Sequence, residues 1–141
     1  MAVLPWTFKE PAPPDTDVVV LASRLDLRSA RHVPGFLRHA LAIRRQVLRS
    51  PGAVGVSLIA QPFRKTFWTL SAWTDDGAIE AFVGEQPHRT TMSRYHDRLE
   101  QAKFTTWSVS GATLPGAHSN AKDLWDEGRR RLDPSVLAPT E

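Results

Sequence analysis

Three stretches of strand length are rich in apolar, β-branched or aromatic residues, which predicts three β-strands. The first stretch, DVVVLASRLDL, is apolar at both alternations from Val18 to Ala22, so both faces of this strand are expected to be covered. The second and third stretches are separated by only one or two residues, which predicts an antiparallel hairpin. The three predicted strands are residues 17–27, 53–62 and 64–74.

The third predicted strand divides its side chains between two faces, because successive residues of a strand point in opposite directions. Trp68 and Trp73 have opposite parity, so at most one of them faces a given side of the sheet. One face carries Trp68, Leu70 and Ala72, and the other carries Phe67, Thr69, Ser71 and Trp73.

Apolar spacings of three and four predict helices between and after these strands. The first helix is predicted over residues 34–50. Asp75 and Asp76 are expected to cap a second helix ending at Gly84, because the free N–H groups of a helix start attract negative charge. Pro87 is expected to open another helical piece that ends near Gln101. A fourth strand over residues 102–114 and a short helix over residues 121–132 follow.

The predicted order β-α-β-β-α-β defines an α+β, ferredoxin-like fold with a four-stranded antiparallel sheet and an extra C-terminal helix. The expected organisation is an extended proline-rich arm over 1–16, the ferredoxin-like domain over 17–112, and a loop with the last helix over 113–141. Trp6 and Phe8 are expected to dock the arm. The sheet face opposite the helices is apolar, and the last helix is judged too short to cover it, which predicts a homodimer.

Composition narrows the class of protein further. The chain has 141 residues, a net charge of +3 and no cysteine, which excludes disulfides, thiolate metal sites and cysteine nucleophiles. Its basic residues are dispersed, so no nucleic-acid partner is expected. The start of the chain does not have the pattern of a signal peptide, and no apolar run is long enough to span a membrane. The expected location is therefore cytoplasmic, without membrane association.

Two segments carry a resemblance to a known superfamily. The segments SPGAVGVSL and FWTLSAWTDDGAIEAFVGEQPHRTTM, together with the order of the elements, resemble the dimeric α/β-barrel superfamily. Within it, the chain resembles the antibiotic-biosynthesis-monooxygenase-like and spheroidene-monooxygenase-like proteins over about residues 17–112. Such proteins include cofactor-free monooxygenases, heme-degrading enzymes, heme peroxidases, lactone-forming isomerases and proteins without known activity. A fold shared by so many functions does not choose among them.

Heme-degrading members of this superfamily use an Asn on the first strand, a Trp and an iron-ligating His. The first predicted strand here has no Asn, the Trp position falls at Phe82, and the ligand position falls near Met92. His88 lies one helical turn before Met92. These departures argue against heme degradation but leave heme bound through His88 as an alternative.

His88 is the candidate catalytic residue, because imidazole titrates near neutral pH and suits a general acid or base. Its alternative role is local packing at a helix start. The candidate substrate-binding residues are Trp68, Trp73, Phe82, Met92 and Trp107. They would suit a flat quinol, polyketide or porphyrin, although strand tryptophans also form ordinary cores.

Further polar residues are open to two interpretations. Strand hydroxyls could orient an oxygen-rich ligand or bond across strands; they are Ser57, Thr69, Ser71, Thr106, Ser108 and Ser110. Two basic pairs, Arg44-Arg45 and Arg64-Lys65, could hold an anionic substrate or lie in solvent. His88, Met92 and His96 share a helix face, but no metal site is expected.

Three functions therefore remain. The first is a monooxygenase-like enzyme, or a related isomerase or cyclase, that acts on an aromatic or polyene small molecule without a nucleotide cofactor. The second is a heme-binding oxygenase that uses His88. The third is a noncatalytic homodimer that binds a small ligand.

Overall fold

The computed structural model describes residues 2–8, 14–115 and 121–132. Five β-strands form one antiparallel sheet in the order β1-β3-β4-β2-β5. The strands are β1 (Ala2–Phe8), β2 (Asp17–Leu27), β3 (Ala53–Gln61), β4 (Thr66–Trp73) and β5 (Leu99–Ser110). The helices are α1 (Val33–Arg49), α2 (Asp76–Gly84), α3 (His88–Tyr95) and α4 (Lys122–Leu132). The α+β, ferredoxin-like prediction is confirmed, with five strands in the sheet where four were expected.

The additional strand, β1, comes from the arm that was expected to be merely extended. It pairs antiparallel with β3, and its register shifts between Leu4 and Thr7. Pro5 lies at this shift, which fits the rule that proline, lacking an N–H, is confined to edge strands and bulges. Trp6 is completely buried, as the docking prediction requires. The side chain of Phe8 and residues 9–13 lie outside the described part of the structure.

Several element boundaries differ from the sequence prediction. The β3–β4 connection is longer than one or two residues, because a 3-10 turn at Pro62–Arg64 and left-handed Lys65 (φ 58°) complete it. Strand β5 begins at Leu99 instead of residue 102, since its pairing with β2 continues to Leu27. The preceding helix is correspondingly shorter. Asp75 caps α2 as predicted, accepting a hydrogen bond of 2.9 Å from the Ala78 N–H.

Helices α1, α2 and α3 cover one face of the sheet, and α4 lies on the other. The face under α4 contains a core of Val20, Trp68, Leu70 and Trp125, to which Trp6 also contributes. The expectation that the last helix is too short to cover this face was therefore wrong. Gly128 makes the approach possible, because a Cβ at this position would lie 3.2 Å from the Cβ of Ala22.

Asp26 connects three strands at one end of the sheet. It accepts hydrogen bonds from Thr66 on β4 (2.6 Å), from Gln101 on β5 (2.9 Å) and from Arg24 on its own strand (3.0 Å). Burial by itself would raise the pKa of Asp26, but these hydrogen bonds outweigh it and lower the pKa below the ordinary value. The carboxylate thus fixes the register of the strands that form the floor of the site described next.

Within the described residues, no helix combines the length and the apolar character that crossing a bilayer requires.

Candidate active site

A cavity of about 330 Å³ lies between the sheet and helices α1, α2 and α3. Its floor is formed by β2, β3, β4 and β5, and its walls are largely aliphatic and aromatic. A volume of this size is at the lower end of the range for small-molecule sites. Phe104 on edge strand β5 lines the cavity and is 72% exposed. The cavity therefore reaches the protein surface at β5.

His88 is the first residue of α3 and lines this cavity, at the helix start where the sequence predicted it. Its ring packs on Phe82, with 4.9 Å between the ring centroids. Buried Gln46 on α1 fixes the local backbone. The Gln46 side chain accepts a 2.9 Å hydrogen bond from the His88 N–H and donates a 3.0 Å bond to the Phe82 carbonyl. Gln46 thus joins α1 to both elements that carry the two rings.

Burial lowers the pKa of His88 below its ordinary value, and a hydrogen bond with the Val83 backbone opposes this effect only in part. The ring is therefore neutral at neutral pH. The Nδ1 atom is buried from the cavity as well as from solvent. The His88 ring nevertheless lines the cavity, so the neutral imidazole is placed to accept a proton from a molecule bound there.

Phe82 and Met92 line the same cavity as His88. Trp73 is on this side of the sheet but lies in the core beneath Phe82, with ring centroids 5.0 Å apart, and is not part of the lining. Its Nε1 donates a 2.8 Å hydrogen bond to Ser71, which does line the cavity. Trp73 thus supports the site from below.

Trp68 and Trp107 lie on the opposite face of the sheet, in or against the core under α4. Two guanidinium groups lie near the Trp68 ring: that of Arg24 at 5.0 Å and that of Arg129 at 5.5 Å from the ring centroid. Arg131 lies 5.0 Å from the ring centroid of Trp107. Of the three strand tryptophans predicted to bind substrate, Trp73 therefore lies on the cavity side of the sheet, and Trp68 and Trp107 lie on the other side.

Hydroxyl groups form the polar part of the cavity floor. Of the hydroxyls weighed from the sequence, Ser57, Thr69, Ser71 and Thr106 line the cavity, and Ser108 and Ser110 do not. Ser23 on β2 was missed; its hydroxyl shares a hydrogen bond with that of Thr69. Ser23 alternates with Leu21 and Leu25 along β2, so its side chain is on the same face of the strand as theirs. This spacing would have identified Ser23 once that face was known to line the cavity.

Among the described residues, no group of three or more His, Asp or Glu side chains is placed to hold a metal ion. His96, the end of the predicted His-Met-His stripe, is 84% exposed and pairs with Asp97 at 3.2 Å. His88 and Met92 line the cavity while His96 lies in solvent, so the three side chains do not come together as metal ligands.

The fold matches solved structures of monooxygenase-like proteins. A candidate monooxygenase from Fusobacterium nucleatum superimposes with a TM-score of 0.65 at 13% identity, covering 77% of this chain but only 49% of the other. SnoaB, a cofactor-independent oxygenase from Streptomyces nogalater solved as a point mutant, gives 0.56 at 16% identity, covering 70% and 98%. A candidate antibiotic biosynthesis monooxygenase from Nitrosomonas europaea gives 0.58 at 13% identity, covering 70% and 94%.

No protein-family model matches the sequence, and no curated protein matches it either. The ferredoxin-like fold that the resemblance implied is nevertheless confirmed. The chain has the ferredoxin-like architecture of the antibiotic-biosynthesis-monooxygenase-like proteins. At these identities the likeness concerns the fold, and the reaction has to be argued from the cavity.

Proposed function

We propose that this protein is a monooxygenase that oxidises an aromatic or polyene small molecule in the cavity, with His88 as the general base and without a nucleotide cofactor. The observation that carries the proposal is the neutral His88 ring, packed on Phe82, in the wall of an apolar cavity of about 330 Å³. The cofactor-independent oxygenase with the same fold supports it.

The chemistry requires little beyond a base and a dry pocket. Neutral His88 removes a proton from an activated CH2 group of the substrate, and the adjacent aromatic system delocalises the resulting carbanion. The electron-rich anion transfers an electron to O2, and the two radicals combine into a C–O bond. The peroxide then loses water, so that CH2 and O2 become C=O and H2O. The imidazolium returns its proton in the last step.

The cavity walls favour this reaction because they exclude water from the carbanion, which would otherwise be reprotonated. Phe82 and Met92 offer contact surface to a flat ring system. The floor hydroxyls of Ser71 and Thr106 can donate hydrogen bonds to substrate oxygens.

Heme bound through His88 is less well supported by the same residues. His88 lines the cavity and could ligate an iron, but a cavity of about 330 Å³ favours a fused-ring substrate over the larger porphyrin. Heme also carries two propionates, and the described lining has one positively charged side chain, Arg44. We therefore derive no step through heme.

Turnover of an anthrone in air, followed by quinone absorbance in metal-free buffer, tests the proposal. We expect His88→Ala to lower turnover by about 10²- to 10⁴-fold, the usual contribution of a general base. His96→Ala is the matched control, because this exposed histidine lies outside the cavity lining. A His88→Ala variant with unchanged turnover would contradict the proposal. A Soret band after incubation with heme, lost in His88→Ala, would favour the heme alternative, and ligand binding without turnover would favour a noncatalytic protein.

A further inference from the structure

Arg44 is the positively charged side chain in the described lining of the cavity, which contains no carboxylate. One of its terminal nitrogens, Nη2, donates a 2.8 Å hydrogen bond to the Thr7 hydroxyl on β1. Its Nε is buried and has no hydrogen-bond partner among the described residues.

The position of Arg44 on α1 directs it into the cavity. Ala40, Ile43 and Val47, at spacings of three and four from one another, line the cavity together with Arg44. This stripe is otherwise apolar. The neighbouring Arg45 is exposed and does not line the cavity. The structure thus separates the two members of a pair that the sequence presented together.

Arg44 and the exposed Phe104 lie toward opposite edges of the sheet. Thr7, which holds the guanidinium, pairs in the sheet with Val56 on β3, and Val56 lines the cavity. The exposed Phe104 is on β5, three strands away from β3 in the sheet order. Three strand spacings correspond to about 14 Å. A ligand that entered at β5 and reached Arg44 would therefore be elongated, with a polar end that goes in first.

We infer that Arg44 determines substrate specificity by binding a carboxylate on the substrate, so that the substrate class is an elongated, planar aromatic or polyene acid. This inference rests on the proposed function and adds the chemical group that the site selects. A carboxylate would pair with the guanidinium and neutralise the one positive charge that the described cavity lining carries. Thr7 holds the guanidinium in place through Nη2, which reduces the side-chain entropy lost on binding. Arg44 is a positioning residue, and His88 remains the base.

Binding of two matched probes tests the inference. We would measure the Kd of anthracene-2-carboxylate and of anthracene-2-carboxamide by equilibrium dialysis. The unmodified protein should bind the acid about 10- to 100-fold more tightly than the neutral amide, as expected for a charge-assisted hydrogen bond. Arg44→Gln should abolish this preference while affecting amide binding little, and Arg44→Lys should retain part of it. Arg45→Gln, on the same helix but exposed, should keep the full preference.

The outcome is independent of turnover, because His88→Ala should keep the acid preference while losing the oxygenase reaction. Loss of the proposed reaction therefore leaves this inference standing if the preference persists. Equal binding of acid and amide by the unmodified protein, or binding of neither, would overturn it even if Arg44→Gln failed to fold. A preference that survives in folded Arg44→Gln would overturn it as well.

Discussion

At the scale of single residues, the environment of His88 decides what the cavity can do. Its ring lies against Phe82 and lines the cavity, and its backbone N–H is held by Gln46. Gln46 is buried in the last turn of α1, where an amide is unexpected unless it is fully hydrogen-bonded. Its two bonds to separate elements show that it positions the base. A polar residue on the buried face of α1 was the sequence signal for this role.

The lowered pKa of His88 predicts the pH dependence of catalysis. Only the neutral ring accepts a proton, and it persists to a pH below 6.5, the ordinary value. We therefore expect kcat/KM to rise with pH through an apparent pKa below 6.5 and to stay level across neutral pH. A pH–rate profile measures this, with His96→Ala giving the same curve. A midpoint above 6.5 would show that another group is the base.

The free energy of unfolding depends on pH in the same direction. Below pH 6.5 the unfolded chain protonates His88, whereas the folded chain keeps the ring neutral to a lower pH. The stability from this residue is therefore complete above pH 6.5 and is lost as the pH falls through the folded pKa.

At the scale of elements, β1 is held by one tryptophan and one glycine. The Trp6 indole lies against Gly55 so closely that a Cβ at Gly55 would be 2.4 Å from the Trp6 Cζ2 atom. No side chain other than hydrogen fits there. Strand β1 also supplies Thr7, whose hydroxyl accepts the hydrogen bond from Arg44. Attachment of β1 to β3 is therefore coupled to the cavity.

Two substitutions test this contact. Trp6→Ala should destabilise the protein by about 3–5 kcal/mol, because it removes a fully buried aromatic side chain. The corresponding fall in Tm is about 10 °C or more. Gly55→Ala should also destabilise, since its methyl group overlaps the indole, by about 1–3 kcal/mol. In the double variant the methyl group has room, so the combined loss should be smaller than the sum of the two single losses.

Thermal unfolding of the four proteins completes this cycle. Val3→Ala, at an exposed position of the same strand, is the control and should change stability by less than about 0.5 kcal/mol. Strictly additive effects would mean that the indole and Gly55 are not in contact.

At the scale of the whole molecule, α4 changes the argument for self-association. A homodimer was predicted because one sheet face was expected to lack cover, yet α4 and Trp6 bury Trp68 and Leu70 on that face. In this chain the last helix provides the cover that a second copy was expected to supply. Self-association remains a prediction that has to be measured.

Sedimentation of the full chain and of a chain ending at residue 115 makes that measurement. Without α4 an apolar face is bare, and we expect the truncated chain to sediment at a larger mass than the full chain. The homodimer prediction requires the full chain itself to sediment near twice its monomer mass. If the folded truncated chain is no larger than the full chain, α4 is not a substitute for a partner.

The sequence by itself determined the features that depend on local chemistry. Runs of β-branched and aromatic residues determined β2 and β4, helical spacing determined α1, and the Asp75 carboxylate determined the start of α2. The position of His88 at a helix start follows from the chain around Pro87. These properties depend on neighbours within a few residues, so they are visible without knowledge of the tertiary structure.

Tertiary structure alone decided which faces meet and what lies between them. Parity showed that Trp68 and Trp73 point to opposite sides, but it did not show which side holds the cavity. The strand β1 gave no clear pattern because Pro5 and the shifted register interrupt its alternation. Arg44 looks like Arg45 until α1 is packed, and only the packed helix leaves one guanidinium in the cavity and the other in solvent. The cavity face, the pairing of β1 and the placement of Arg44 all depend on packing between segments distant in the sequence. A pattern within a few residues does not specify which distant segment will pack against it.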